Sequence, residues 1–333
     1  MKEHILNIDV FNKIFYKSDL LKGCFFCFVF SIVQHFNKNI DMFLLNDIYF
    51  YKDAEGTNRL ALISKSNIDW MDIANELHID LEARVYCKEL LLETRRAIQN
   101  ERPVIISVDD FYLPFATREG HFSQYVLVEG YNEDNDTFNI RVQRKRYDVF
   151  YVKEIISSQQ LKTAYEGYMV LYHTIHKIRE GKDFPTYYSF MNMDDFKPNI
   201  NAAITRYKKY IEENIETIKY GLSIMNNFIA RLTFGGIEID YAEFMQDVNN
   251  IISIMRVQLY TFKNCIANKG IVENILNKLI AEWDRVRFIL IKSDMKGISY
   301  YKMKTMVVDK LNLIANLETR YYELLEQFSK SVI

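Results

Sequence analysis

The chain has 333 residues, which at the usual domain size is enough for two domains. Hydrophobic residues make up 49% of it and charged residues 26%, so the composition excludes a disordered chain. The 42 Lys and Arg residues nearly balance the 44 Asp and Glu residues, and a formal net charge of −2 predicts no general attraction to nucleic acid or to an anionic membrane.

The start of the chain lacks the pattern of a signal peptide, because Met1 to Phe15 carries charged residues throughout and has no apolar core. The longest apolar run is Cys24–Val33, which is ten residues long, whereas about 18 are needed to span a bilayer. We therefore expect a soluble, cytoplasmic protein whose four cysteines are thiols rather than disulfides.

The first half of the chain mixes helical and strand patterns, which predicts an α+β domain over residues 1–182. In chain order the predicted elements are a buried helix at Cys24–Phe36, a polar turn at Asn37–Asp41, an amphipathic helix at Leu81–Asn100, a strand at Val104–Val108, a strand at Gln124–Val128, a turn at Asn132–Asp136, a returning strand at Thr137–Val142 and a helix at Gln159–Arg179.

The second half is almost wholly helical. Residues 183–199 hold two of the four prolines and break the periodicity, so they are predicted to be a linker. Beyond them an α-helical bundle is predicted over residues 200–333, because four long amphipathic segments are joined by short loops. The predicted helices are 201–232, 238–267, 271–292 and 300–330.

Two cysteines open the first buried helix, directly after Gly23. A thiol at a helix N-terminus lies near the positive end of the helix dipole, which favours the nucleophilic thiolate. Cys24 and Cys27 are both candidates, and either one is also compatible with simple core packing. A zinc site would need a second pair of ligands, and Cys87 and Cys265 stand alone, so no metal is predicted.

His121 stands just before the predicted strand at 124–128 and follows a turn. A histidine that enters a strand can accept the proton of a cysteine placed on a helix N-terminus, which is the arrangement of thiol enzymes. A surface position is the alternative for this residue. The pair Cys24 or Cys27 with His121 is therefore the candidate catalytic centre.

The order of these segments resembles a papain-fold family of antibiotic biosynthesis. It is typified by the butirosin side-chain acyltransferase, and the amide-forming enzyme of closthioamide assembly is a relative. The resemblance covers about residues 20–180 and is carried by Cys24, by Asn37 thirteen residues later, by VDDFYLPF at 108–115 and by HFSQYVLVEGYNEDND at 121–136. It implies a papain-like domain whose thiol takes an acyl group from a carrier-protein thioester and passes it to an amine.

The chain departs from the family pattern at two places. Gln124 stands where papain-like enzymes usually have the base, and Gln143 stands where the orienting Asn or Asp is expected. A glutamine amide cannot act as a general base. If His121 is the base, its orienting carboxylate is expected from Asp136 or Asp148, and antiparallel pairing of 124 with 143 brings Asp148 nearer in register.

Other polar and aromatic residues of these segments are candidates for substrate binding. Asp109 and Asp110 end a strand, where they either recognise a substrate amine or satisfy backbone groups of a turn. Gln124 and Tyr112 are candidates to line the pocket. The basic run RVQRKR at 141–146 is either a solvated edge or a dock for an acidic carrier protein or its phosphopantetheine phosphate.

The leading expectation is a cysteine-dependent acyltransferase, or amide synthase, of nonribosomal peptide or related secondary-metabolite biosynthesis. Its partners would be an acyl or peptidyl carrier protein, whose phosphopantetheine holds the substrate, and a small-molecule amine. No cofactor, metal, nucleic acid or membrane is expected. Two alternatives stay open: a non-catalytic protein that binds or scaffolds an intermediate, and a thiol peptidase or amidase. The helical half leaves homo-oligomer formation open.

Overall fold

The computed structural model describes residues 3–9, 23–54, 59–115, 120–144, 151–173, 175, 183–238, 240–266 and 270–331, without the side chains of residues 23, 24, 54 and 173. The fold is mixed α+β, with a sheet region followed by a C-terminal helical region. It divides into two compact units, and each is built from two separate pieces of chain. Unit 1 comprises Met1–Ile40 and Trp70–Pro198, and unit 2 comprises Asp41–Asp69 and Asn199–Ile333.

Unit 1 is organised around an antiparallel sheet. Its strands are β1 (Glu3–Ile5), β4 (Ile79–Arg84), β5 (Val104–Asp109), β6 (Ser123–Asn132), β7 (Thr137–Val142), β8 (Val152–Ser157) and β9 (Tyr187–Asn192). Their order across the sheet is β4-β9-β5-β6-β7-β8, and β1 pairs with the end of β6 that β5 leaves uncovered. The sheet therefore places the end of β5 next to the start of β6.

Helices cover both faces of this sheet: α1 (Gly23–His35), α3 (Trp70–Glu76), α4 (Leu90–Gln99) and α5 (Ser158–Tyr168). Val126 and Val128 of β6 pack into one core with residues of α4 and α5. Tyr125, which alternation places on the other face, meets Phe25 of α1 with ring centroids 5.0 Å apart. Because both faces are buried, β5 is apolar along most of its length instead of alternating.

Three predicted elements of unit 1 are wrong in part. The helix predicted at Leu81–Asn100 is a strand, β4, followed by the shorter helix α4. The segment 183–199, predicted to be a linker, contains β9, which pairs with both β4 and β5. The helix predicted at Gln159–Arg179 ends as an α-helix at Tyr168 and continues as a π-helical turn at Met169–His173, while residues 176–182 lie outside the described residues.

Unit 2 contains four long helices: α6 (Ile200–Thr233), α7 (Tyr241–Cys265), α8 (Gly270–Lys296) and α9 (Tyr300–Lys330), close to their predicted bounds. It also contains the short helix α2 (Asp41–Leu44) and a hairpin of β2 (Asp47–Ala54) and β3 (Arg59–Ser66), which the sequence analysis placed in the first domain. The helices pack in the order α6-α9-α8-α7, and the hairpin packs on α6 and α7. It thus closes the ring of helices.

The hairpin is held to the helices by close packing and by buried polar contacts. Gly221 of α6 lies against the backbone of Tyr51, and a Cβ at this position would come within 2.8 Å of the Tyr51 nitrogen. Arg59 of β3 binds Asp247 of α7 through two hydrogen bonds, of 3.0 and 2.6 Å. Since the Asp247 side chain is almost fully buried, the guanidinium supplies the charge that its carboxylate needs.

A buried carboxyl group lies in the core of unit 2. Glu318 of α9 is 1% exposed, and its Oε1 accepts a hydrogen bond of 2.6 Å from the hydroxyl of Tyr51. A second hydrogen bond comes from Tyr322. Burial raises the pKa of Glu318 from 4.5 to about 7, against the opposing effect of these hydrogen bonds.

None of the helices in the part of the chain that the structure describes combines the length and the apolar character needed to cross a membrane.

Candidate active site

The centre of the candidate site is a histidine–carboxylate pair at the end of β5. The Nδ1 atom of His121 is 2.6 Å from Oδ2 of Asp109. The Asp109 side chain is fully buried, and its other oxygen, Oδ1, accepts a hydrogen bond from the backbone N–H of Phe111. With the Nδ1 proton donated to Asp109, Nε2 of His121 carries the lone pair that can accept a proton.

The strand register explains why these two residues meet. Asp109 is the last residue of β5 and pairs with Ser123, the first residue of β6. His121 precedes Ser123 by two residues, so it continues along the same edge. The backbone N–H of Asp110 also bonds the carbonyl of Phe122, at 2.9 Å, which ties the two strand ends together. The geometry of the pair is therefore set by the sheet rather than by a loop.

Helix α1 begins at the same end of the sheet. Phe25, in its first turn, packs against Tyr125, four residues after His121. His35, at the C-terminus of α1, lines a cleft of about 540 Å³ together with Leu6, whose N–H bonds the carbonyl of Glu129 near the far end of β6. The helix thus runs along the sheet and points its N-terminus, with the unpaired backbone N–H groups of a first turn, towards the His121 end.

The two candidate nucleophiles differ in their surroundings. Cys27 is completely buried among the core residues of unit 1, which leaves its sulfur inaccessible to a substrate. Cys24 lies in the first turn of α1, where a thiolate benefits from the helix dipole, and its side chain is outside the described part of the chain. Burial thus removes Cys27 as a nucleophile, and the position of Cys24 in the first turn of α1 makes it the remaining candidate of this pair.

Two aromatic side chains flank His121. The ring of Phe111 lies 4.3 Å from the imidazole, and that of Tyr112 lies 5.8 Å away, measured between centroids. Both belong to a single 3₁₀ turn, Asp110–Tyr112. Gly167 of α5 faces the Tyr112 ring so closely that a Cβ there would overlap it. A glycine at this helix position therefore allows the turn to sit against α5.

Asp136, one of the two carboxyl groups expected to orient His121, does not do so. Asp136 lies in the turn after β6, and its Oδ1 accepts hydrogen bonds from Arg95 and Ser158. The ten residues of β6 separate it from His121, roughly 30 Å at 3.3 Å per residue. Asp148 lies outside the described residues. The acid that bonds His121 is Asp109, which was predicted either to recognise a substrate amine or to satisfy backbone groups of a turn; its Oδ1 does the latter, and its bond to His121 was not predicted.

The expected pairing of Gln124 with Gln143 is off by one residue. β6 and β7 pair Leu127 with Arg141, so the register sum is 268 rather than 267, and it shifts again at an irregularity between Val128 and Gly130. Gln124 is buried within β6, opposite Val108. Its neighbours along the strand place it on the face that packs against α4 and α5, not on the face of α1.

Asp110 is buried, and two arginines of the basic run have ion-pair partners. Asp110 is 3% exposed, so its carboxylate is not presented to solvent for a substrate amine. Burial, and secondarily the carboxylates of Asp109 and Asp110, raise the pKa of the Tyr172 hydroxyl. In the basic run, Arg141 binds the buried Glu129 and Arg144 binds Glu154, while Lys145 and Arg146 lie outside the described residues.

The described residues contain no group of three or more His, Cys, Asp or Glu side chains that could hold a metal ion. Comparison of the chain with protein-family models finds no family that matches, and comparison with curated proteins finds no significantly similar sequence. The described groups of the site are the His121–Asp109 pair, the start of α1 and the aromatic turn.

Proposed function

We propose that this chain is a cysteine-dependent acyltransferase, or amide synthase, with a papain-like unit 1, related to the enzymes of butirosin type. The observation that carries the proposal is the 2.6 Å contact between His121 and the buried Asp109, at the end of the sheet where α1 begins. This is a base with an orienting acid, at the same end of the sheet as the start of α1, whose second residue is Cys24.

The first half-reaction transfers the acyl group to the enzyme. His121 accepts the thiol proton of Cys24 through Nε2, and the sulfur attacks the carbonyl carbon of a thioester. A new C–S bond forms to Cys24, and the original C–S bond breaks. The leaving thiolate takes the proton from His121. Backbone N–H groups at the start of α1 stabilise the oxyanion of the tetrahedral intermediate.

The second half-reaction releases the product. A neutral amine attacks the acyl carbon, so that an N–C bond forms and the bond to Cys24 breaks. His121 takes a proton from the amine nitrogen and returns it to the sulfur. One thioester is exchanged for one amide, and no ATP is needed because the thioester supplies the driving force. Asp109 holds the imidazole with Nε2 facing the reaction and stabilises the imidazolium that forms.

The donor in this proposal is an acyl or peptidyl carrier protein that bears phosphopantetheine, and the acceptor is a small-molecule amine. A pathway of nonribosomal peptide or related antibiotic biosynthesis in the cytoplasm supplies both. Support for this part comes from the resemblance of residues 20–180 to the family. The His121–Asp109 pair favours catalysis over a scaffold role, because a carboxylate bonded to Nδ1 directs the basic Nε2 of His121 towards a proton donor.

Intact-protein mass spectrometry tests the proposal. Incubation with an acyl thioester should add the mass of one acyl group to the wild-type chain, to Cys27→Ala and to the control Cys265→Ala, which alters a buried thiol of unit 2. Cys24→Ala should show no addition, and His121→Ala should acylate at least 100-fold more slowly. An amine should then discharge the acyl-enzyme as an amide.

Three results would count against it. A folded wild-type chain that takes up no acyl group from either a small thioester or a carrier-bound one would favour the binding role. Release of only the free acid in the presence of amines would favour the hydrolase. Acylation of Cys24→Ala at the wild-type rate would remove Cys24 from the mechanism.

A further inference from the structure

We infer that Phe111 determines acyl specificity and that the site takes a bulky apolar acyl group; this inference rests on the proposed acyl transfer. Phe111 is 48% exposed and Tyr112 is 37% exposed, although both lie beside the candidate base. Exposed aromatic rings also occur elsewhere in unit 1, such as Tyr86 at 57%, so exposure alone does not single out Phe111. Phe111 differs in that its exposed ring lies 4.3 Å from the imidazole of the candidate base, where a bound apolar group would bury it.

The ring is held in place before any substrate arrives. The backbone N–H of Phe111 bonds Asp109, the same carboxylate that holds His121. The Phe111 ring also meets Tyr112 edge to face, with centroids 5.2 Å apart, and Tyr112 in turn rests against Gly167. Phe111 is thus fixed to the catalytic pair through one carboxylate. A rigid apolar wall selects its ligand at a low entropic cost.

Because Phe111 lies close to His121, we assign its ring to contact with the acyl group and not with a remote part of the substrate. The imidazole must approach the sulfur that attacks the thioester carbon, so the first few carbons of the acyl chain lie within several ångströms of it. The Phe111 centroid is 4.3 Å from the imidazole centroid. A short acetyl group leaves the phenyl face exposed to water, whereas a longer apolar chain covers it.

The charges around the site favour an apolar chain over a cationic one. Among the described residues, the carboxylates of Asp109, which bonds His121, and of the adjacent Asp110 are 0% and 3% exposed. They therefore present no accessible anion to an ammonium group on the acyl chain. The accessible surface of the turn is formed by the two aromatic rings.

A matched set of N-acetylcysteamine thioesters tests this inference. Acetyl, pentanoyl and 3-methoxypropanoyl donors share one leaving group, and the last two have the same chain length but differ in one methylene replaced by an ether oxygen. The rate of mass addition to the full chain gives a rate constant for each. We expect pentanoyl to be faster than either of the others, by roughly tenfold over acetyl.

Phe111→Ala should reduce the pentanoyl-to-acetyl ratio towards one, and the ratio is the readout because the ring also packs against His121 and can change both rates together. Phe111→Leu, which keeps an apolar side chain, should retain most of the preference and guards against loss of folding in the alanine variant. The control Phe234→Ala changes an exposed phenylalanine of unit 2 and should not alter the ratio. Contacts with the leaving group cancel in the ratio of rate constants, because every donor carries the same leaving group.

The outcomes separate the two proposals. Acylation at similar rates by all three donors, or an equal loss of both rates in Phe111→Ala, would overturn the role of Phe111 and leave acyl transfer standing. An absence of acylation by any donor, in a wild-type chain shown to be folded, would overturn the acyl transfer and the specificity with it.

Discussion

Replacing the buried carboxyl of unit 2 by an amide should abolish a pH dependence of stability. Glu318 has a pKa of about 7 in the folded chain against an ordinary value of 4.5. The folded state therefore binds this proton more tightly than the unfolded state does. The associated stability is fully present below about pH 4.5, and it is lost as the pH rises through 7.

The size of the effect follows from the shift in pKa. The shift of about 2.5 units corresponds to about 3 kcal/mol at about 1.4 kcal/mol per unit. About 2.5 kcal/mol of this falls between pH 5 and pH 8, since the unfolded carboxyl is already largely ionised at pH 5. In Glu318→Gln the side chain has no proton to lose but keeps an oxygen for the hydroxyl of Tyr51. We therefore expect the unfolding free energy of the variant, relative to that of the wild type, to increase as the pH rises.

Urea unfolding of the full chain between pH 5 and pH 8 measures this difference. The chain has two tryptophans, and Trp283 is fully buried in unit 2, so its fluorescence in a Trp70→Phe background reports on that unit. Other titrations cancel when the variant is subtracted from the wild type. The difference in unfolding free energy should fall by about 2.5 kcal/mol from pH 5 to pH 8.

A second glutamate on α9 supplies the control. Glu326 is partly exposed to solvent, and hydrogen bonds from Lys330 and Lys219 lower its pKa to about 2. It is ionised in both the folded and the unfolded chain above about pH 6, so the difference between the wild type and Glu326→Gln should be flat there. A flat or rising difference for Glu318→Gln between pH 5 and pH 8 would refute a protonated carboxyl in this core.

Three further changes have defined outcomes. Asp109→Asn should slow acylation by about 10²–10⁴-fold, since the amide favours the wrong tautomer of His121; an unchanged rate and pH profile would contradict this. Gly167→Ala should displace the Tyr112 ring and cost about 1 kcal/mol net, because overlap outweighs the gain in helix propensity; thermal unfolding checks the sign. Arg59→Met should destabilise unit 2 by about 3 kcal/mol by leaving a buried carboxylate of α7 unpaired, and a loss below about 1 kcal/mol in urea would refute that.

The sequence predicted those parts of the fold whose signal is local. The long helices of unit 2 were found because each repeats its apolar positions over many turns. The strand β4 was not, because the apolar residues of 79–84 also fit the helical period of the segment that follows. Its partner is β9, more than a hundred residues later, which was taken for a linker on account of its neighbouring prolines. Because neither segment was predicted to be a strand, the pairing between them, which would have supported both strands, was also missed.

The candidate site was likewise predictable only where its signal is local in the sequence. His121 was predicted from its place before a strand, and the structure pairs it with Asp109; Cys24 was predicted from its place at a helix start, and it stays a prediction because its side chain lies outside the described residues. The role of Asp109 was missed because it depends on the register of β5 against β6, and the connection between them is too long to reveal that register. Two facts could have suggested it: the strand ends in an acid, and the next strand begins beside a histidine.

Both units are discontinuous in sequence, and this has a consequence for how the chain folds during synthesis. The segment 41–69 leaves the ribosome before most of unit 1, but the helices it packs against come at the end of the chain. Tyr51 bonds Glu318, which lies 267 residues further along the chain, so this contact can form only after Glu318 has been synthesised. Unit 1 therefore completes its fold while an apolar hairpin is still uncovered, a stage at which nascent chains are prone to associate. A fragment that starts at Asn199 would lack the hairpin, so the helical region is not a module that can be cut out at the boundary its sequence suggests.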